Sequence, residues 1–252
     1  DEFLALMVNE EDHLRIQGIQ AGLALDDVFE RVMSLDEELS GTVPIAFSPK
    51  WGYLTACPSN VGTGMRASVM VHVPALVLMD EIGPIMKGLG KIGLAVRGLG
   101  GEGSEAVGNI FQISNQVTLG ETEEQVVARL QAIVEEVVGH ERNARLRLQE
   151  SRGAVLRNHV GRAQGILENA HILPSKEALE WLSGLRLGVE MGMVSAVDTA
   201  VLDELTLLIR PGHLQKLAGR ILSPAERDEE RATWVRQSLQ ENRITHRNMG
   251  NE

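Results

Sequence analysis

The only cysteine of this 252-residue chain lies in ACPSNVGTGMRASVMVHV, residues 56–73. Cys57 is followed by Pro58, by Ser59 and by a loop with two glycines that ends on Arg66. A lone cysteine is by default a small buried hydrophobe, yet a hydroxyl two residues away can hydrogen-bond a thiolate. Arg66 stands at the lip of an apolar run, where a guanidinium calls for an anion. Two further stretches mix carboxylates and arginines. NEEDHLR, Asn9 to Arg15, follows an apolar run, and RGLGGEGSEAVG, Arg97 to Gly108, surrounds Glu102 with glycines. Arg15, Arg66 and Arg97 each fall at a strand end or in a loop, so three guanidinium groups could meet on one polyphosphate. Glu11, Glu102 and Cys57 supply three potential anions that would hold a cation. A guanidinium fits that role. With a pKa above about 12, its nitrogen cannot attack until the group has been held and deprotonated. Phosphoryl transfer asks mainly for positioning and charge neutralisation, which an arginine cluster with Mg²⁺ provides.

Each stretch also has a plainer reading. Acids and a histidine at a strand end are commonly a solvated edge, and HEXXH zinc chemistry is excluded because NEEDHLR has one histidine. GLGGEG formally matches the dinucleotide fingerprint G-x-G-x-x-G, but the strand-like NIFQISNQVTL follows it where a helix is required. No G-x-x-x-x-G-K-[ST] is present, which excludes a P-loop. The glycines read as a loop that presents Arg97 and Glu102, or as a bland hairpin. Near the end, SPAERDEERA places Ser223, Pro224 and Glu226 as a capping box with a proline start. Arg227 and Arg231 then share a helix face beside Asp228. That is either a surface salt-bridge ladder or a small site for a ligand with both phosphate and guanidinium.

The elements that must carry these residues alternate up to about residue 148. Strand-like runs cover 3–8, 52–58, 67–74, 91–98 and 109–119, and helical patterns cover 23–39, 74–89 and 122–148. Thr122 with Gln125 resembles a capping box at the start of the last helix. From Glu150 the chain reads as helices at 151–170, 175–192, 198–209 and 223–243, broken by HILPS, MGMVSA, RPGH and GRILSP. The tail beyond Arg243 reads as frayed. Two domains are expected, 1–149 mixed α/β and 150–252 all-helical. Apolar residues at 43% suffice for a core, with aromatics at only 3%. A net charge of −11 opposes nucleic-acid binding. A single cysteine excludes an internal disulfide and suits a reducing compartment. Runs such as VMVHVPALVLM are too short to span a bilayer. The chain opens on Asp1 in what reads as mid-strand, so an upstream part is expected to be missing.

NEEDHLR, ACPSNVGTGMRASV and RGLGGEGSEAVG with IFQISN resemble the signatures of the phosphagen (guanidino) kinases, over Asp1 to about Leu148. The resemblance implies a glutamine-synthetase-like catalytic domain, with a mixed, mainly antiparallel sheet and flanking helices. It makes Glu11 the residue that orients and deprotonates the guanidinium, Glu102 its assistant and Cys57 a contact to the same group. It gives the ATP phosphates to Arg15, Arg66 and Arg97. The nucleotide site would extend over Ala67, Ser68, Val69 and Met70, and over Gly98, Leu99, Gly100, Gly101 and Glu102. Mg²⁺ would be held through phosphates and water, without dedicated protein ligands.

QISNQVTLG and the helical appendix look like the protein-arginine-phosphorylating bacterial branch. RDEERA at 227–232 is similar to that branch's RDXXRA motif. This implies a phosphoarginine-binding allosteric pocket at Arg227, Asp228, Arg231 and Ala232. The implied biology is cytoplasmic. It comprises a homodimer, protein substrates such as a heat-shock repressor like CtsR and damaged proteins, a Clp unfoldase and protease, an activator protein, and no nucleic acid or membrane. The alternatives are a kinase for free arginine or another guanidino metabolite, and a non-catalytic phosphoarginine reader. Three departures stand out. The family's upstream S-S-R-x-R is absent, Met70 replaces a histidine of the metabolite kinases, and Gly100 replaces a tyrosine or arginine. An incomplete ATP site is expected in this segment.

Overall fold

The computed structural model describes residues 3–98 and 107–249. The chain forms two compact units that interleave in sequence. One contains the residues up to Val71, Gly83–Val96 and Gln112–Gly139; the other contains His72–Ile82, Arg97–Phe111 and His140–Glu252.

The first unit opens on an antiparallel hairpin of β1 (Leu4–Glu10) and β2 (Asp12–Gly18), paired from Leu4↔Gly18 to Glu10↔Asp12. NEEDHLR is therefore the turn and start of a second strand, and not merely a strand end. Leu14 and Ile16 alternate with Arg15 and Gln17, as a half-buried strand requires. Helix α1 (Leu25–Ser40) lies on this hairpin, and a Cβ at Gly18 would come within 2.8 Å of Val28 and 2.9 Å of Val32. The strand expected over 52–58 shrinks to β4 (Gly52–Tyr53), paired with β3 (Phe47–Ser48). Pro58, which cannot donate to a ladder, begins a short 3₁₀ turn instead. A three-stranded sheet has the order β5 (Ser68–His72), β7 (Ile110–Asn115), β6 (Leu94–Gly98). The strands thus occupy three small sheets.

The helix expected over 74–89 divides into α2 (Pro74–Leu78) and α3 (Ile82–Lys91). Asp80, at φ 62°, takes the left-handed conformation that a short polar side chain tolerates, and this ends the first helix. Pro84 then falls in the first turn of the next, where its missing N–H costs nothing. The two helices expected either side of 150 are one, α4 (Glu123–Asn169), with a kink at Arg152 (φ −132°, ψ 30°). Its capping box forms: Thr122 N–H donates to Gln125 Oε1 (3.0 Å) and Gln125 N–H to Thr122 Oγ1 (3.3 Å).

The second unit packs helices around leucines. α4 buries Leu156, Val160, Ala163 and Leu167 at four- and three-residue spacing. α5 (Ser175–Glu190) crosses it closely, since a Cβ at Gly188 would lie 2.4 Å from Val160 Cγ1. α6 (Thr199–Leu208) follows, then α7 (Pro211–Ala218), which occupies the stretch expected to be a break. Pro211 serves at its first position and Gly219, at φ 65°, ends it. α8 (Pro224–Met249) starts on the expected box, with Ser223 N–H on Glu226 Oε2 (2.8 Å) and Glu226 N–H on Ser223 Oγ (3.3 Å). It continues as helix past Arg243, where the sequence suggested fraying.

Candidate active site

Glu11 is the tip of the β1–β2 hairpin, between the paired Glu10 and Asp12. Its φ of 60° is a conformation that costs a non-glycine residue about 1 kcal/mol or more. Hydrogen bonds from the Cys57 loop hold this tip. Asn60 Nδ2 donates to Glu11 Oε1 at 2.8 Å and to Asp12 Oδ2 at 3.3 Å. The other Asp12 oxygen accepts Ala56 N–H at 2.5 Å. Ser59 Oγ lies 3.0 Å from Cys57 Sγ and 3.4 Å from Asn60 Oδ1. That hydroxyl has one proton to give. Donated to Sγ it supports a thiolate; donated to Asn60 it leaves room for the thiol to donate in turn. Cys57, Ser59, Asn60 and Glu11 thus form one series of contacts, and the sulfur and the carboxylate belong to one constellation.

The loop after it is fixed by backbone. Thr63 N–H donates to Thr118 O (2.9 Å), and Thr118 Oγ1 reaches the carbonyls of Ser59 (3.0 Å) and Val61 (2.8 Å). Gly62, at φ 118°, leaves no space for a side chain, since a Cβ would stand 2.0 Å from Thr118 O. Arg66 closes the loop. Asn115, buried in the unit, accepts Ala67 N–H at 2.8 Å and donates to the carbonyls of Met65 (3.0 Å) and Val117 (3.1 Å). The chain is pinned on both sides of Arg66, while the exposed guanidinium donates from Nη2 to Ser114 Oγ at 3.2 Å. Beyond it, Ser68 Oγ accepts from Gln112 Nε2 at 3.0 Å, Val69 is half-buried, and Met70 points to solvent with 54% of its surface exposed. Arg15 pairs with Glu10 at 2.8 Å, both about half exposed. Arg97 and Gly98 end β6 and belong to the other compact unit. Leu99, Gly100, Gly101 and Glu102 lie outside the described residues.

Among the described residues, no three His, Cys, Asp or Glu side chains are grouped to hold a metal ion. No helix there is long and apolar enough to cross a membrane.

On α8 the four RDEERA positions separate. Arg227 donates to Leu222 O at 2.8 Å and is half-buried, and Asp228 keeps 30% of its side chain exposed. Arg231 is 1% exposed and consumed by packing. Its Nε donates to Ile209 O (2.9 Å), and its Nη1 to Leu173 O (2.7 Å) and Asp228 Oδ1 (2.6 Å). Ala232 is buried beside it on the inward face.

Residues 1–144 match the family described as ATP:guanido phosphotransferase, C-terminal catalytic domain. The chain belongs to the ATP:guanido phosphotransferases. Residues 153–249 match the Protein-arginine kinase McsB C-terminal domain, which places this phosphotransferase on the protein-arginine-kinase side of the family. A protein-arginine kinase of Halothermothrix orenii is 50% identical over 239 residues, covering 95% of this chain and 68% of the relative. One of Geobacillus stearothermophilus is 49% identical, covering 95% and 66%. The chain therefore spans about two thirds of the length of the curated relatives it matches. Among solved structures, the crystal structure of lombricine kinase aligns with a TM-score of 0.50 and 33% identity, over 56% of this chain and 39% of that one.

Four residues that tie together the segments carrying Glu11, Cys57 and Arg66 received no role from the sequence: Asn60, Ser114, Asn115 and Thr118. Their type was the available signal. Asn and Thr in irregular backbone commonly bond main-chain groups, and both asparagines here use donor and acceptor together.

Proposed function

We propose that this chain transfers the γ-phosphoryl group of ATP to arginine side chains of proteins. The carrying observation is the Glu11–Asn60–Ser59–Cys57 series, a carboxylate and a sulfur held together at one solvent-reachable hairpin tip. One Glu11 oxygen is taken by Asn60, and the second has no partner among the described residues, so it can receive a guanidinium N–H. Glu11 takes that proton, the nitrogen lone pair attacks the γ-phosphorus, and the bond to the β–γ bridging oxygen breaks as ADP leaves. Cys57 would bind the same guanidinium from its other side and Glu102 would assist. Arg15, Arg66 and Arg97 would neutralise the phosphates, with Mg²⁺ carried on them. The nucleotide would run along Ala67–Met70 and along Gly98–Glu102.

The match of residues 153–249, together with the protein-arginine kinase names of the relatives, favours proteins over free arginine. On this reading Arg227 and Asp228 face phosphoarginine, with Arg231 holding Asp228 in place. Substrates would be a heat-shock repressor of the CtsR kind and damaged proteins passed to a Clp protease. A homodimer in the cytoplasm, answering to an activator protein, completes the proposal. The test is incubation with ATP and a basic protein. Acid-labile phosphate on arginine supports the reading, and label on free arginine alone overturns it. Phosphoarginine binding without turnover would point to a reader.

A further inference from the structure

Asn60 can hold Glu11 in place only if its own backbone is held, and one hydroxyl braces that backbone on both sides. Thr118, three residues beyond the end of β7, is half-buried between the exposed Val117 and Leu119. Its Oγ1 donates to Val61 O at 2.8 Å and to Ser59 O at 3.0 Å, the carbonyls that flank Asn60. A hydroxyl has one proton, so the two carbonyls share it in a three-centre bond. The 3₁₀ turn Pro58–Asn60 is short. Asn60 N–H donates to Cys57 O at 3.0 Å and Val61 N–H to Pro58 O at 3.4 Å, which leaves the carbonyls of Ser59 and Val61 to find donors outside the turn. From this braced backbone Asn60 Nδ2 reaches Glu11 Oε1 at 2.8 Å, and Ser59 Oγ lies 3.0 Å from Cys57 Sγ.

The segment that carries Thr118 is itself fixed, because Asn115 Nδ2 donates to Val117 O at 3.1 Å from the end of β7. Thr118 then divides its work. Its carbonyl accepts Thr63 N–H at 2.9 Å, on the side that leads to Arg66, while its hydroxyl serves the two sides of Asn60. A change of side chain removes the second function and leaves the first. Glu11, Cys57, Asn60, Arg66 and Thr118 all belong to one compact unit.

We propose that Thr118 is a positioning residue for phosphoryl transfer: by bracing the backbone around Asn60 it fixes the amide that holds Glu11, and with it the placing of the carboxylate beside the Cys57 sulfur. This rests on the role of base proposed for Glu11.

Thr118→Val keeps the branched shape and loses the hydroxyl. Its kcat for arginine phosphorylation of a basic protein should fall about three- to tenfold, as for the loss of one hydrogen bond. The Kd for Mg·ATP should stay within about twofold, and Thr118→Ser should recover kcat to within about twofold. In an Asn60→Ala background the same Thr118→Val change should lower kcat less than about twofold, because the contact through which it acts is already gone. Equal losses in the two backgrounds overturn the positioning role, and so does a loss that serine does not recover. Amide exchange over 57–63 reads the brace without turnover. It should quicken about fivefold in Thr118→Val, with 25–40 unchanged within about twofold. Unchanged exchange over 57–63 overturns the brace. If the unsubstituted protein transfers no phosphate, Glu11 as base and Thr118 as its positioning residue fall together, and exchange still decides the brace. Should Thr118→Val not fold, Thr118→Ala takes its place with the same outcomes.

Discussion

His72 carries the most direct pH prediction. Burial is the main cause of its depressed pKa, with the cations Arg186 and Arg145 adding to it and the anions Glu190 and Asp203 opposing. In the unfolded chain the imidazole returns to 6.5, while in the folded protein it stays neutral down to about 4. Between those values the unfolded state binds the extra proton, so stability is complete above 6.5 and falls as pH drops towards 4. Linkage across that gap gives a loss of about 2 kcal/mol between pH 7 and pH 5. His72→Gln keeps a polar atom near Ser183 and cannot titrate, so its stability should be flatter over that range by about 2 kcal/mol. Urea unfolding at pH 7, 6 and 5, followed by the fluorescence of Trp181 and Trp234, measures the difference. His159, also depressed by burial, is common to both proteins and cancels. Parallel losses in the two proteins would refute the argument.

Three further outcomes follow from the site. Glu11→Gln should lower phosphoryl transfer by roughly 10²–10⁴-fold with Mg·ATP affinity unchanged, and normal turnover would remove Glu11 from the role of base. Asn60→Ala deletes the 2.8 Å bond to Glu11. A bond to a charged acceptor contributes roughly 1.5–3 kcal/mol, so kcat should fall at least about tenfold, and a change confined to KM would contradict this. Arg231→Ala strips the Ile209 and Leu173 carbonyls and Asp228 of their shared donor. A loss of about 3–5 kcal/mol is expected in urea unfolding, against about 1 kcal/mol for Arg227→Ala, which should instead weaken phosphoarginine binding.

What the sequence disclosed follows the range over which each signal acts. Both capping boxes, at Thr122 and Ser223, formed as read because they are complete within four residues. Strands 68–72 and 94–98 were legible because their apolar runs are bounded by glycine, arginine and proline. Several features escaped, β3 among them. β2 was hidden because NEEDHLR is polar enough to pass for the solvated end of the preceding strand, and α7 because Pro211 reads as a breaker when it is a first-turn residue. The division at Asp80 depends on one left-handed residue that its type only permits, and the continuity of α4 through 150 overrides Gly153 by packing. Glu11 and Cys57 were legible as chemistry, but Asn60, which joins them, lies 49 positions from Glu11 and shows no local pattern.

The arginines show why residue type alone does not locate a site. Arg66, Arg15 and Arg231 carry the same guanidinium, and what separates them is the acceptor each is given. Arg231 meets two helix-end and loop carbonyls and a carboxylate inside the helical unit, acceptors that need a donor as much as it needs them, so withdrawing it for a ligand would strand all three. Arg15 meets only Glu10, in a half-exposed pair of the sort that contributes about 1 kcal/mol or less, so an incoming phosphate can take it over at little cost. Arg66 stands between these limits. Its backbone is immobilised by Asn115 while its exposed head meets the hydroxyl of Ser114, a neutral acceptor that a charged phosphate oxygen outcompetes. A guanidinium whose backbone is fixed on both sides is placed before any ligand arrives, whereas Arg231 serves the RDEERA helix by holding Asp228.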